Sequence, residues 1–199
     1  MSAHSLPVVF AEHPTAEKIA GASCYLADAR DALVDSVAGL STEQWNFKAA
    51  PDCWSIAEIL EHVVVVERRV HAIVNKLGDA PPPPEGWDEE AVDALVLENV
   101  PDRSGRFQAP PGVCPTEQWT GTVALQNFLS GREKTAQLLS TAVLRGHVFP
   151  HPVLGPWDGY QWLLAAGAHG LRHVEQICGV KGCSNFPVSS IAETHPQAK

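Results

Sequence analysis

The sequence predicts an all-α chain folded as a four-helix bundle, with a long crossover between its second and third helices. Three observations predict it. Four segments repeat apolar residues at spacings of three, four and seven. Ser or Asp stands three residues before Glu or Gln where turns and helices should begin, at Ser41, Ser55 and Asp158. The connection from Pro81 to about Pro115 is long and rich in Pro and Gly, which lets the flanking helices avoid a tight antiparallel hairpin. With 199 residues and 45% hydrophobic content, the chain reads as a single domain over 1–199, its core at about 15–182 and its termini irregular.

The first helix runs from about Thr15 to about Leu40 on a stripe of Ile19, Leu26, Leu33 and Val37, and Gly39 marks its end. Ser41 with Gln44 makes a capping-type turn before the irregular stretch NFKAAPDC. Ser55 with Glu58 forms a capping box, so the second helix begins there. Its stripe is Ile59, Val63, Val66, Val70, Ile73 and Leu77; Gly78 and the proline run from Pro81 stop it. Within the crossover only WDEEAVDALVLEN is suited to a short helix. The third helix spans Thr116 to about Arg145, although Gly121 and Gly131 weaken its pattern. HVFPHPVLGPW reads as a loop, after which Asp158 with Gln161 caps a fourth helix running to about Gly179.

Composition excludes several function classes. A formal charge of -9, from 14 basic and 23 acidic residues, gives no general attraction to nucleic acid or anionic lipid. The start, MSAHSLPVVFAEHP, lacks the basic and apolar segments of an export signal, and no apolar run reaches membrane-spanning length. The five cysteines are odd in number and form no C-x-x-C pair, which fits neither a disulfide framework nor a zinc ribbon. The expectation is a cytoplasmic protein with free cysteines that behave as small buried hydrophobes.

Histidine carries the functional signal. His169 and His173 stand four residues apart on the fourth helix, so about 40° of rotation and one turn separate them and both can reach one ion. His62 lies between Ile59 and Val63 at the edge of the core-facing stripe and is the natural third ligand. His71, nine residues further on, is rotated to the opposite face and reads as solvent-exposed. A second H-x-x-x-H pair, His147 with His151, is kept off a helix by Pro150 and Pro152, leaving His151 a supporting role beside the site. From spacing and face alone two readings stand: a three-histidine metal site, or buried, hydrogen-bonded core histidines.

DCWSIAEILEHV, HPVLGPWDGYQWL and AHGLRHVEQI together resemble the three signature stretches of the DinB-like superfamily, particularly its YfiT-like branch. The resemblance covers roughly residues 15 to 182 and includes the helix order, the Trp-Ser start of the second helix, the His-Pro-x-x-Gly-Pro loop and HGLRHVEQ from His169 to Gln176. It implies a bundle holding one divalent ion, zinc or nickel, at the positions of His62, His169 and His173. It also brings in thiol-dependent enzymes, namely bacillithiol and mycothiol S-transferases and maleylpyruvate isomerase, beside members described as metal-dependent hydrolases.

Three histidines leave coordination positions for water or substrate, and an ion held by neutral ligands lowers the pKa of a bound thiol or water. The expected function is therefore transfer of a low-molecular-weight thiol to a small electrophile, as in detoxification, favoured because relatives do it and no carboxylate is an evident dedicated base. The alternatives are a hydrolase using metal-activated water and a non-enzymatic, stress-related metal-binding module. Beyond the ligands the candidates are Glu58, which could orient His62 or serve the helix cap, Arg172, a substrate-carboxylate partner or structural ion pair, Gln176, a hydrogen-bonding pocket group, and His151. Trp54, Trp157 and Trp162 read as core and loop anchors. The partners expected are a small-molecule substrate and a second copy of the chain, paired through apolar surface on helices one and three.

Overall fold

The computed structural model describes residues 13–105 and 108–188. Among these residues the elements are α1 (Ala16–Val37), α2 (Thr42–Asn46), α3 (Ile56–Val74), α4 (Glu89–Asn99), α5 (Gly121–Thr141), β1 (Phe149–His151), β2 (Gly155–Trp157) and α6 (Gly159–Lys181). The helix α1 packs on α6, α6 on α3, α3 on α5 and α5 back on α1, closing a four-helix ring, while α4 lies against α6. The all-α bundle read from the sequence is thus the observed architecture. The expected irregular termini fall largely outside the described residues.

The predicted caps form. Ser55 and Glu58 bond each other's backbone N–H groups at the start of α3, and Asp158 and Gln161 do the same for α6. Each reciprocal pair satisfies two backbone donors that an open helix end would leave free. The buried stripes meet in two clusters: Leu26, Val70, Val74, Leu138 and Leu163 contribute to one, and Leu33, Ile59, Leu60, Phe128 and Ile177 to the other. Each such side chain contributes about 1.5–3 kcal/mol when removed from water.

Four sequence expectations change. The third helix starts at Gly121, not Thr116, because Thr120 caps it and residues 116–118 are recruited by Glu61. Gly121 is a glycine because a Cβ there would lie 2.2 Å from the Trp45 ring, so the residue that weakened the helical pattern admits a close approach. The same helix ends at Thr141, short of Arg145, whose guanidinium is 1% exposed and donates to Asp158 at 2.6 Å and Asp93 at 2.9 Å. That buried charge is tolerable only because both carboxylates surround it, and the network ties α4 to the start of α6.

HVFPHPVLGPW, expected as a loop, contains a two-stranded antiparallel hairpin with Phe149 opposite Trp157 and His151 opposite Gly155. Pro150 faces Pro156, so the two residues with no N–H to give oppose each other. At the turn Gly155 adopts φ of +86°, a conformation L side chains rarely take. The cysteines are free, but Cys24, Cys53 and Cys178 are exposed, not buried: Cys24 and Cys178 face away from the core on α1 and α6, and Cys53 lies in the turn before α3. No described helix is long and apolar enough to cross a membrane.

Candidate metal centre

The structure brings His62, His169 and His173 together: one nitrogen from each lies within 4.8 Å of the others. His62 comes from α3 and the other two from successive turns of α6. The Nε2 atom of His169 is 3.2 Å from that of His62 and 3.1 Å from that of His173. Three imidazoles bound tetrahedrally at about 2.0–2.1 Å would hold their nitrogens about 3.3 Å apart, close to the spacing found.

The outer nitrogens show what the inner ones can do. His62 Nδ1 lies 2.7 Å from the Val113 carbonyl, and His173 Nδ1 lies 2.8 Å from Gln176 Oε1. A carbonyl only accepts, so both Nδ1 atoms carry the proton and both Nε2 atoms present lone pairs. His169 has one Nε2–H at most and can satisfy only one of them at a time. A cation satisfies all three, so this donor set fits a divalent ion better than it fits a self-contained core network.

Burial holds the rings neutral, the state that binds metal. Desolvation lowers the His62 pKa against the opposing Val113 bond. It lowers His173 to about 3, helped by His62, and it pushes His169 well below the ordinary range, helped by His173 and His62. The removal of charged imidazolium from water, multiplied by like-charge repulsion, is the cause throughout.

The other candidates are dispersed around this cluster. Glu58 donates no oxygen to it: Oε2 accepts from the Ser55 N–H at 2.8 Å and Oε1 from Lys48 at 2.8 Å, and these bonds keep its pKa low despite burial. Arg172 donates to the Gly105 carbonyl at 2.9 Å. Gln176, expected as a pocket group, instead fixes the ring of His173 and also accepts from Arg103 at 3.2 Å. Glu175, two residues past His173, is exposed and outside the cluster. His151 stands on the hairpin, stacked on Trp157 at 4.0 Å and 16°, its Nδ1 accepting from the N–H groups of Val153 and Leu154.

His71 requires a correction. It does turn away from the three-histidine cluster, but it is 9% exposed, not in solvent, because α5 covers that face. Its Nε2 lies 2.8 Å from Thr135 Oγ1, and Thr135 donates to buried Glu67. Helical rotation alone identified the face but not what packs against it.

Sequence reasoning missed Glu61, which is 1% exposed and accepts from the Thr116 N–H at 2.8 Å, the Thr116 hydroxyl at 3.1 Å and Gln118 at 3.1 Å. It anchors the segment whose Val113 carbonyl orients His62. A glutamate on the buried side of a helix, next to a ligand candidate, was the available signal. Trp54, half-buried, tilts against His62 with ring centres 5.0 Å apart.

The chain is similar to known proteins over most of its length. A family model described as DinB superfamily matches residues 25–177. Uncharacterized protein YuaE of Bacillus subtilis (strain 168) is 26% identical over 167 residues, covering 77% of this chain and 93% of its own. No solved structure matches the chain.

Proposed function

Since the chain belongs to the DinB superfamily, we propose that it is a metal-dependent enzyme that transfers a low-molecular-weight thiol to a small electrophile. The observation that carries this reading is the convergence of His62, His169 and His173 with the Nδ1 protons of two of them committed elsewhere. These residues would hold one divalent ion, zinc or nickel, whose bound form lowers the pKa of a thiol and stabilises its thiolate.

The chain's own residues then orient and exclude. Val113 and Gln176 set the ring planes of His62 and His173, and Glu61 fixes the loop bearing Val113. Trp54 shields one side of His62 from water. Among the described residues the cluster has three members and no carboxylate, which leaves room for an exogenous ligand. Glu58 is occupied by Ser55 and Lys48, and Glu61 by Thr116 and Gln118, so neither of these two α3 carboxylates stands ready as a general base for water. Their commitment elsewhere supports thiol transfer over hydrolysis.

Several coarser readings accompany the proposal. The chain works as one domain in the cytoplasm, a compartment that keeps both a small thiol and five cysteines reduced. It pairs as a homodimer, for which the part-exposed Val123 and Leu129 of α5 offer apolar surface. The test is consumption of free thiol with a panel of electrophiles, with and without added metal. Metal-supported loss of thiol is expected. Turnover without thiol would transfer the site to the hydrolase reading, and absence of both would leave a binding module.

A further inference from the structure

A cavity of about 70 Å³ lies beside the metal cluster and shares His169 with it; its wall is Val66, Val70, Val100, Trp157, Trp162 and Ala165, completed by His151. We infer that this cavity receives a small, uncharged, apolar group of the substrate, a short hydrocarbon or halocarbon portion, and seats it against His169. The inference rests on the thiol-transfer reading for the reaction but not for the binding.

Size comes first. A cavity needs roughly 10–15 Å³ by this measure to hold one water, so 70 Å³ seats a group of a few heavy atoms, with the rest of a larger molecule left outside it. Charge comes second. No carboxylate, Lys or Arg lines the wall, and an ion placed there would lose its hydration without a partner. The indole Nε1 atoms of Trp157 and Trp162 are buried and without a hydrogen-bond partner among the described residues, so little of either N–H is open to a ligand.

His151 is part of the same design. Its Nδ1 accepts two backbone N–H groups, so the ring is the neutral Nε2–H tautomer, and stacking on Trp157 holds its plane. Desolvation also lowers its pKa, which keeps the ring uncharged. The hairpin thus contributes an uncharged imidazole and an indole to the wall, α3 two valines, and α6 the stretch from Trp162 to His169. Position does the rest. A group in this cavity lies against the ring that also faces the cluster, which places the neighbouring atoms of the same molecule near the three histidines that would hold the ion.

Xenon is a direct probe, because it is uncharged, small and taken up by apolar cavities. The experiment follows the methyl signals of Val66, Val70, Val100 and Ala165 by NMR in full-length protein under xenon pressure, with acetate as the charged probe of similar size. Metal content is measured on the same samples by equilibrium dialysis. The expected result is a saturable shift of these methyl signals with xenon and none with acetate. Ala165→Leu, which fills the cavity, and Val100→Phe, at a half-buried position, should each reduce the xenon shift several-fold and leave metal content unchanged. If one variant fails to fold, the other carries the test. Unmoved methyl signals under xenon, or shifts as large with acetate, would overturn the inference. Xenon binding in protein that takes up no metal would instead overturn the metal reading and leave the apolar cavity standing.

Discussion

Gln176 Oε1 accepts the Nδ1 proton of His173 at 2.8 Å, one helical turn away on α6. The bond aims the opposite nitrogen, Nε2, at His169. A ligand so oriented binds metal more tightly than a free-turning ring, and losing the orienting partner typically costs 10–100-fold in affinity. Gln176→Ala should therefore weaken metal binding by about that factor with helical content retained, measured by competition against a chromophoric chelator. An unchanged affinity would show that His173 is not oriented through this bond.

Glu61 predicts a subtler effect. Its Oε1 gathers three donors from Thr116 and Gln118, and the loop it holds supplies the carbonyl that bonds His62. Glu61→Gln keeps the shape but weakens charge-assisted bonds. Metal affinity should fall several-fold, and the Thr116 amide should exchange faster with solvent than in the parent protein. Faster exchange without an affinity change would separate the loop from the site.

His71 gives a pH dependence outside the metal cluster. Burial, aided by Lys134, Arg132 and Arg68, lowers its pKa from 6.5 to about 4. Between those values the unfolded chain takes up a proton that the folded chain refuses, so stability falls as pH drops from about 6.5 to about 4. His62 and His173 act in the same direction. In metal-free protein, His71→Phe should flatten this decline by on the order of 1 kcal/mol across the window, discounted for partial solvent screening. Chemical denaturation at several pH values reads it; a parallel decline in the variant would remove His71 as a contributor.

Two glycines should respond oppositely to alanine. At Gly121 the new Cβ would meet Trp45 at 2.2 Å, while at Gly179 nothing lies within 4 Å. Gly121→Ala should cost about 1–3 kcal/mol through overpacking. Gly179→Ala, inside α6, should gain about 0.5–1 kcal/mol from helix propensity. Thermal unfolding of the two variants checks both signs.

Assembly follows from the exposed side chains of α5. Val123 and Leu129 are 39% and 38% exposed, and a homodimer burying them should show about twice the 21.4 kDa chain mass by light scattering. Val123→Lys should shift that mass towards the monomer. A monomeric mass for the parent chain at high micromolar concentration would remove the dimer.

Much of this was legible in the sequence because it is local. The capping boxes at Ser55 and Asp158 and the stripes of α1, α3 and α6 rest on spacings within one helix. The pairing of His169 with His173 is local too, and His62 could be placed on the right face by its position in the stripe. What was not legible depends on contacts between distant segments. The Val113 carbonyl reaches His62 across 51 positions, and Arg145 meets Asp93 across 52. The burial of His71 depends on α5, and the hairpin in HVFPHPVLGPW forms despite three prolines because two of them oppose each other. Neither follows from periodicity.

His62, His169 and His173 are proposed to hold one divalent ion and leave a position open. X-ray absorption at the metal edge, on protein loaded to measured stoichiometry, tests this most directly. The expected result is about one ion per chain, three imidazole nitrogens at about 2.0–2.1 Å and a light-atom ligand that a small thiol replaces with sulfur at about 2.3 Å. A coordination sphere closed by four protein ligands and indifferent to thiol, or a folded chain that takes up no ion at all, would contradict it.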